Sequence, residues 1–116
     1  MAIKQGDIYL VDFGKKYNSE IGKIRPAVVI QNDFFNKSIE AKFYKQVLVA
    51  PLSTVDIEDN FRIKILPRDN LQKSSFIISN WLCTLDYEHI LLDKGLITKL
   101  TDVELSKLKQ AICSLI

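Results

Sequence analysis

The chain has 116 residues, 47% of them apolar and 26% charged, with a formal net charge of +2. This balance fits a single globular domain over residues 1–116 and excludes an intrinsically disordered chain. Residues 1–45 carry eight Lys/Arg against five Asp/Glu and residues 46–116 carry eight against nine, an excess that permits an anionic partner without demanding one.

In chain order, Ile8 to Phe13 reads as a first strand with Asp12 the one acid inside it. Gly14 to Ile24 is a polar, basic loop holding Lys15, Lys16, Tyr17, Asn18, Glu20, Gly22 and Lys23. Ala27 to Gln31 forms a second strand whose unbroken apolar run predicts burial on both faces. Pro26 has no N–H for a ladder and suits the first position of that strand. Arg25 then leaves the loop where the strand begins, placed to hold an anion. Phe34 to Lys37 is read as one helical turn, with Phe34 and Phe35 in the core. Gln46 to Leu52 is a third strand, the alternating Phe61-Arg62-Ile63-Lys64-Ile65 a half-buried fourth, and Ser75 to Ser79 a fifth. Thr101-Asp102-Val103-Glu104 fits a capping box. Behind it, Leu105, Leu108, Ala111, Ile112 and Leu115 recur at helical spacing, so a terminal helix packs that face on the sheet. Short strands with polar connections and one late helix predict a small barrel or twisted sheet.

No apolar run approaches the roughly 20 residues that cross a bilayer, and no signal-peptide pattern opens the chain. A cytoplasmic protein without a membrane partner is expected. Cys83 and Cys113 lack the paired spacing of a zinc site and read as two free thiols. No glycine-rich phosphate loop, acidic metal cluster or nucleophile elbow is present, so neither a metal nor another cofactor is expected. His89, the single histidine, is of a residue type that can serve as a general base but stands apart from other chemistry-bearing residues.

Three segments together resemble the MazF/PemK/Kid toxins. They are Gly6-Asp7-Ile8-Tyr9-Leu10-Val11-Asp12, then Ser19-Glu20-Ile21-Gly22-Lys23-Ile24-Arg25-Pro26, then Val28-Val29-Ile30-Gln31-Asn32-Asp33. Val49-Ala50-Pro51-Leu52-Ser53 is similar to that family's third strand, and Thr84-Leu85-Asp86 to a later segment. The resemblance implies an SH3-like small β-barrel with a C-terminal α-helix, mainly β in class. It also implies the toxin of a type II toxin–antitoxin system, a sequence-preferring endoribonuclease that cuts single-stranded RNA without metal. Its expected partners are RNA, a cognate antitoxin and a second copy in a homodimer.

Carried residue by residue, the resemblance maps the catalytic arginine onto Arg25 and the catalytic hydroxyl onto Ser53, with Thr54 as the alternative. Glu20 becomes a base or ribose contact. Such a site needs little else, because the ribose 2′-hydroxyl is the nucleophile and a guanidinium is planar, charged and bidentate toward phosphate oxygens. Lys15, Lys16, Tyr17, Asn18, Lys23 and Arg62 are candidate RNA contacts, the cations for phosphates and Tyr17 for a base. The chain departs from the family at Trp81-Leu82-Cys83, where many members carry Gln-Ile-Arg or Gln-Val-Arg, and this bears on sequence preference. Two further readings stay open: a non-catalytic gyrase poison of the same fold, and a paralogue that only binds RNA or antitoxin.

Overall fold

The computed structural model describes residues 3–14, 24–41, 45–57, 59 and 61–116. Seven strands are formed: β1 Asp7–Asp12, β2 Ile24–Val29, β3 Gln46–Ser53, β4 Arg62–Ile65, β5 Ser75–Ile78, β6 Cys83–Asp86 and β7 Thr98–Lys99. Two α-helices join them, α1 Asp33–Glu40 and α2 Asp102–Cys113, with short 3₁₀ turns at Tyr87–His89 and Leu92–Lys94. The sheet runs β4-β5-β3-β2-β1-β7, with β6 also paired to β3. Every pairing is antiparallel. The result is a curled half-barrel with a C-terminal helix, the mainly β architecture expected of the sequence.

β3 is the hub. On one edge it pairs with β2, as Ala27↔Pro51, Val28↔Ala50 and Val29↔Val49. On the other edge it meets β5 at Leu52↔Ile77 and Ser53↔Phe76, then β6 from Val49↔Cys83 to Gln46↔Asp86. The β6 register lags the β5 register by three residues, so β5 and β6 are one bent partner of β3 that loops out at residues 79–82.

Residues 27–29 of β2 are buried on both faces, as their unbroken apolar run predicted, and so are residues 49–52 of β3. Tyr9, Val11, Ala27, Val29, Val47 and Val49 point to one cluster, completed by Ile3, Ile39 and Ile90. Ile8, Val28, Ala50 and Leu52 point to the other, completed by Ile63, Ile65, Leu71, Ile77 and Leu108. Gly6 starts β1 at φ +92°, a conformation open to glycine but not to residues with a Cβ. That geometry lets its N–H reach the Val29 carbonyl at 2.8 Å while its own carbonyl accepts the Leu100 N–H at 2.9 Å.

Three expectations are corrected. β2 starts at Ile24, so Arg25 lies inside a strand rather than at the end of a loop, and Pro26 is its third residue, opposite Leu10. The reason is directional. The Val29 carbonyl bonds Gly6 on the β1 side and the Ile30 N–H bonds Leu48 on the β3 side. Alternation then turns the Pro26 nitrogen toward β3, and the β1 ladder passes it without loss. The segment around Phe34 is a two-turn helix, because the Asn32 side chain caps it by accepting the Phe35 N–H at 3.0 Å. That phase turns Asn36 and Ile39 inward, both buried. Phe34 and Phe35 face out, 75% and 49% exposed, in an edge-to-face pair with ring centroids 5.4 Å apart. Finally, α2 forms with its full capping box, and Leu105, Ala111 and Ile112 pack beside the buried Leu108, but Leu115 lies past the helix end and is exposed.

The start of α2 is locked to the sheet through Arg68. Its guanidinium donates to both Glu104 carboxylate oxygens, at 2.7 and 2.6 Å, and to the Lys99 carbonyl at 2.7 Å. It also reaches the Thr98 hydroxyl, which donates onward to Asp69 at 2.6 Å. The fork to Arg68 holds the Glu104 carboxyl below the usual range.

Two outcomes follow from this packing. Leu108→Ala should lower the unfolding free energy by about 2–4 kcal/mol, the cost of emptying a buried leucine site, and Leu115→Ala by less than about 0.5 kcal/mol, both read by urea denaturation. A carboxyl depressed in the folded state contributes stability above its unfolded value of 4.5 and loses it as pH falls through the folded one. Glu104→Gln should therefore cost roughly 1.5–3 kcal/mol at neutral pH and flatten the loss of thermal stability below pH 4.5, measured by melting across a pH series.

Candidate active site

The motif that names Arg25 divides into a frame and a centre. Asp7, 3% exposed, accepts from the Lys4 N–H at 3.0 Å and the Tyr9 hydroxyl at 3.4 Å, and lies 3.6 Å from the Lys99 ammonium. Burial first, then the Asp7 carboxylate, pushes the Tyr9 phenol up to about 12, so this tyrosine stays protonated. At the other end, the Gln31 side chain donates to Asn36 and the Asn32 side chain caps α1. The Asp33 carboxylate accepts the Gln5 N–H at 2.7 Å, and that bond holds its carboxyl below the ordinary value. Both flanks are structural, and between them stands Arg25.

Arg25 is half-buried on β2, opposite Val11 of β1. Ser53 is half-buried at the last position of β3, opposite Phe76 of β5. The β2–β3 ladder stops at Ala27↔Pro51; extended by two residues, its register would set Arg25 opposite Ser53 on the same sheet face. The ladder ends there because Pro26 brings no N–H to that edge. By that register, the ladder stops just before the height at which Arg25 and Ser53 share a face. Among the described residues Arg25 has no ion-pair partner. The Ser53 oxygen accepts the Val55 N–H at 3.1 Å, a local turn that leaves the hydroxyl proton to donate outward. Thr54 is exposed beyond the strand end. The pair can therefore offer a planar cation and a hydroxyl donor to one anion.

Arg62 takes a different position from a free RNA contact. Its guanidinium pairs with Asp59 at 3.3 Å and touches the Val55 carbonyl at 3.5 Å, with 11% of the side chain exposed. It props the segment that follows Ser53. Lys64, not singled out from the sequence, is exposed and sits opposite Phe76, in the same cross-strand row as Ser53. The signal was present in the alternation of Phe61 to Ile65, which puts Arg62 and Lys64 on one face. His89 lies near this end of the sheet, its Nδ1 3.0 Å from the Asp12 carbonyl. Exposed Ile24, Val55 and Ile57 flank the pair. Glu20, Lys15, Lys16, Tyr17, Asn18 and Lys23 lie outside the described residues.

Cys83 and Cys113 are both free thiols. Cys83 packs beside the first apolar cluster, and burial pushes its thiol up, away from the reactive thiolate. The departure from the family pattern at this position thus fills core space. No described helix is long and apolar enough to cross a membrane.

The sequence matches, over residues 4–116, the family described as PemK-like, MazF-like toxin of type II toxin-antitoxin system. It is 33% identical over 117 residues to Endoribonuclease EndoA of Bacillus subtilis, an alignment covering 97% of this chain and 92% of that protein. The fold is shared with MazF from Deinococcus radiodurans at a TM-score of 0.75 and 16% identity, covering 99% of this chain and 96% of that one. An endoribonuclease of a Mycobacterial species, solved in complex with its cognate antitoxin, superposes at a TM-score of 0.72 and 17% identity, covering 97% and 93% of the two chains. With the family motif folded around Arg25 and the match running nearly end to end, the chain belongs to the PemK-like, MazF-like toxins of type II toxin–antitoxin systems.

Proposed function

We propose that this protein is an endoribonuclease toxin that cuts single-stranded RNA without a metal ion. What supports the reading most is the register that, extended two residues past the end of the β2–β3 ladder, sets Arg25 opposite Ser53 on one sheet face. The family membership and the endoribonuclease name of a relative at 33% identity support it.

In this mechanism the 2′-hydroxyl attacks the adjacent phosphorus, forming the O2′–P bond as the P–O5′ bond breaks. The proton leaving the 2′-hydroxyl passes to Glu20, and the departing 5′-oxygen takes one from water. The products are a 2′,3′-cyclic phosphate and a 5′-hydroxyl. Arg25 neutralises charge gathering on the equatorial oxygens, where a bidentate fork is worth most. Ser53 donates a further hydrogen bond to the same group, and Thr54 takes that part if the phosphate sits one residue further along. Lys15, Lys16, Lys23 and Lys64 track phosphates, Tyr17 and Asn18 contact bases, and Arg62 acts through the segment it holds. A second copy completes the groove in a homodimer, since one small half-barrel offers little concave surface. A cognate antitoxin with an acidic, extended segment occupies the same groove when the toxin is silenced.

Purified protein incubated with a long RNA in EDTA should leave 2′,3′-cyclic phosphate and 5′-hydroxyl ends, and light scattering should give twice the 13.3 kDa chain mass. Arg25→Ala should slow cleavage by roughly a hundredfold or more, the usual loss for one strong transition-state donor, with melting unchanged. Arg25→Lys should recover part of it, keeping charge without the fork. Ser53→Ala should cost less and Thr54→Ala least. Cleavage abolished by EDTA, or undiminished in Arg25→Ala, would overturn the mechanism. Stabilised gyrase–DNA breaks with intact RNA would establish the non-catalytic reading instead.

A further inference from the structure

We propose that Trp81 is a stacking platform for a base neighbouring the scissile phosphate, and so a determinant of which RNA sequence is cut. The inference rests on the ribonuclease reading and adds a residue to it.

The argument starts from the three-residue slip between β5 and β6. Both registers, extended, bring the chain back to Pro51: Ile78 through β5, and Trp81 through β6. Residues 79–81 therefore leave the sheet as a turn beside Pro51, closed by the Trp81 N–H on the Ile78 carbonyl at 3.1 Å. Pro51 is two residues before Ser53 on β3 and faces Ala27, two residues after Arg25 on β2. Counting two strand spacings of about 4.8 Å and two residues of about 3.4 Å, a residue continuing the β6 register to Pro51 would lie on the order of 12 Å from the Arg25 backbone. Facing side chains of this length close much of that gap.

Alternation sets the side. Leu82 packs against the α2 cluster and Cys83 against the opposite one. Continued back one residue into the turn, that alternation would put Trp81 on the Cys83 side, the face of Arg25 and Ser53. The indole is half-buried. Among the described residues no buried side-chain polar atom lacks a partner, and the indole N–H has none within the fold, so it reaches solvent. A half-buried ring has already given up part of its rotamer freedom before any ligand arrives. That is what a stacking platform needs; any base can stack on it, and differences in stacking strength between bases supply the preference. The basic and hydroxyl groups alongside select a nucleic-acid occupant over an apolar peptide.

The chain's single tryptophan makes the test direct. The probe is the RNA segment identified by mapping cleavage ends, made with one 2′-deoxyribose at the cut position and a fluorescent end label. Binding is read by label anisotropy and, separately, by indole emission. Expected results are quenching of the indole in step with binding, about tenfold or more weaker binding in Trp81→Ala, binding within about threefold in Trp81→Phe, and loss of base preference at one position beside the cut in Trp81→Ala, with mass and melting unchanged. Binding that leaves indole emission unaltered, or Trp81→Ala binding and cutting with full preference, would overturn the inference while leaving the ribonuclease reading intact. A monomeric or unfolded Trp81→Ala, together with unquenched indole in the parent, would assign the ring to packing and likewise overturn it. Failure of the parent to cleave or bind RNA would remove the ribonuclease reading and this inference together.

Discussion

The pairing of β3 on both edges is the constraint from which the rest of the molecule follows. Eight residues, Gln46 to Ser53, meet β2 on one side and the bent β5–β6 run on the other. Val47 and Val49 commit to one apolar cluster and Ala50 and Leu52 to the other, and a slip of one residue would exchange them. The register is thus strongly fixed. It fixes in turn which residues from β2, β5 and β6 arrive at the same height as Ser53.

Against that rigid centre, Pro26 introduces a measured interruption. A strand residue with an N–H would carry the β2–β3 ladder further and draw the two strands together. Proline withholds the donor on the β3 side alone, so β2 stays bonded to β1 while its other edge separates. An arginine rooted on a paired strand yet facing an opening is well suited to bind a phosphate. Its backbone is held by the β1 ladder, and the β2–β3 ladder has already ended beside it.

The two ends of the fold are fastened by different means. Around β1, buried Asp7 gathers a backbone N–H, a phenol and an ammonium, so the charge is spread over three partners. At α2, the bidentate Arg68–Glu104 pair works with the capping box, since Glu104 also accepts the Thr101 N–H at 2.9 Å. The Arg68–Glu104 pair fastens the α2 side of the sheet, while Asp7 and Tyr9 share the face of Arg25. Substitutions at Leu108 or Glu104 therefore probe stability away from that face.

Much of this was legible from residue order alone. The both-sided burial of Ala27 to Ile30, the capping box at Thr101 and the apolar face around Leu108 are local patterns, and local patterns survive in one dimension. The motif around Arg25 and the hydroxyl at Ser53 could be located for the same reason. What residue order could not reveal was anything set by register or by helix phase. Phe34 and Phe35 looked like core because they are large and apolar, but the cap at Asn32 sets which side of the helix turns inward, and it turned Asn36 and Ile39. Arg25 looked like a loop residue because proline usually ends ladders, and only the direction of the Pro26 nitrogen decided that one ladder continued. The place of residues 79–82 beside β3 depends on a three-residue slip between two partners of β3, a long-range pairing with no trace in local sequence. Composition and periodicity determined the elements; pairing across the sheet decided which side chains meet, because contacts between distant residues are fixed by backbone hydrogen bonds that any sequence can make.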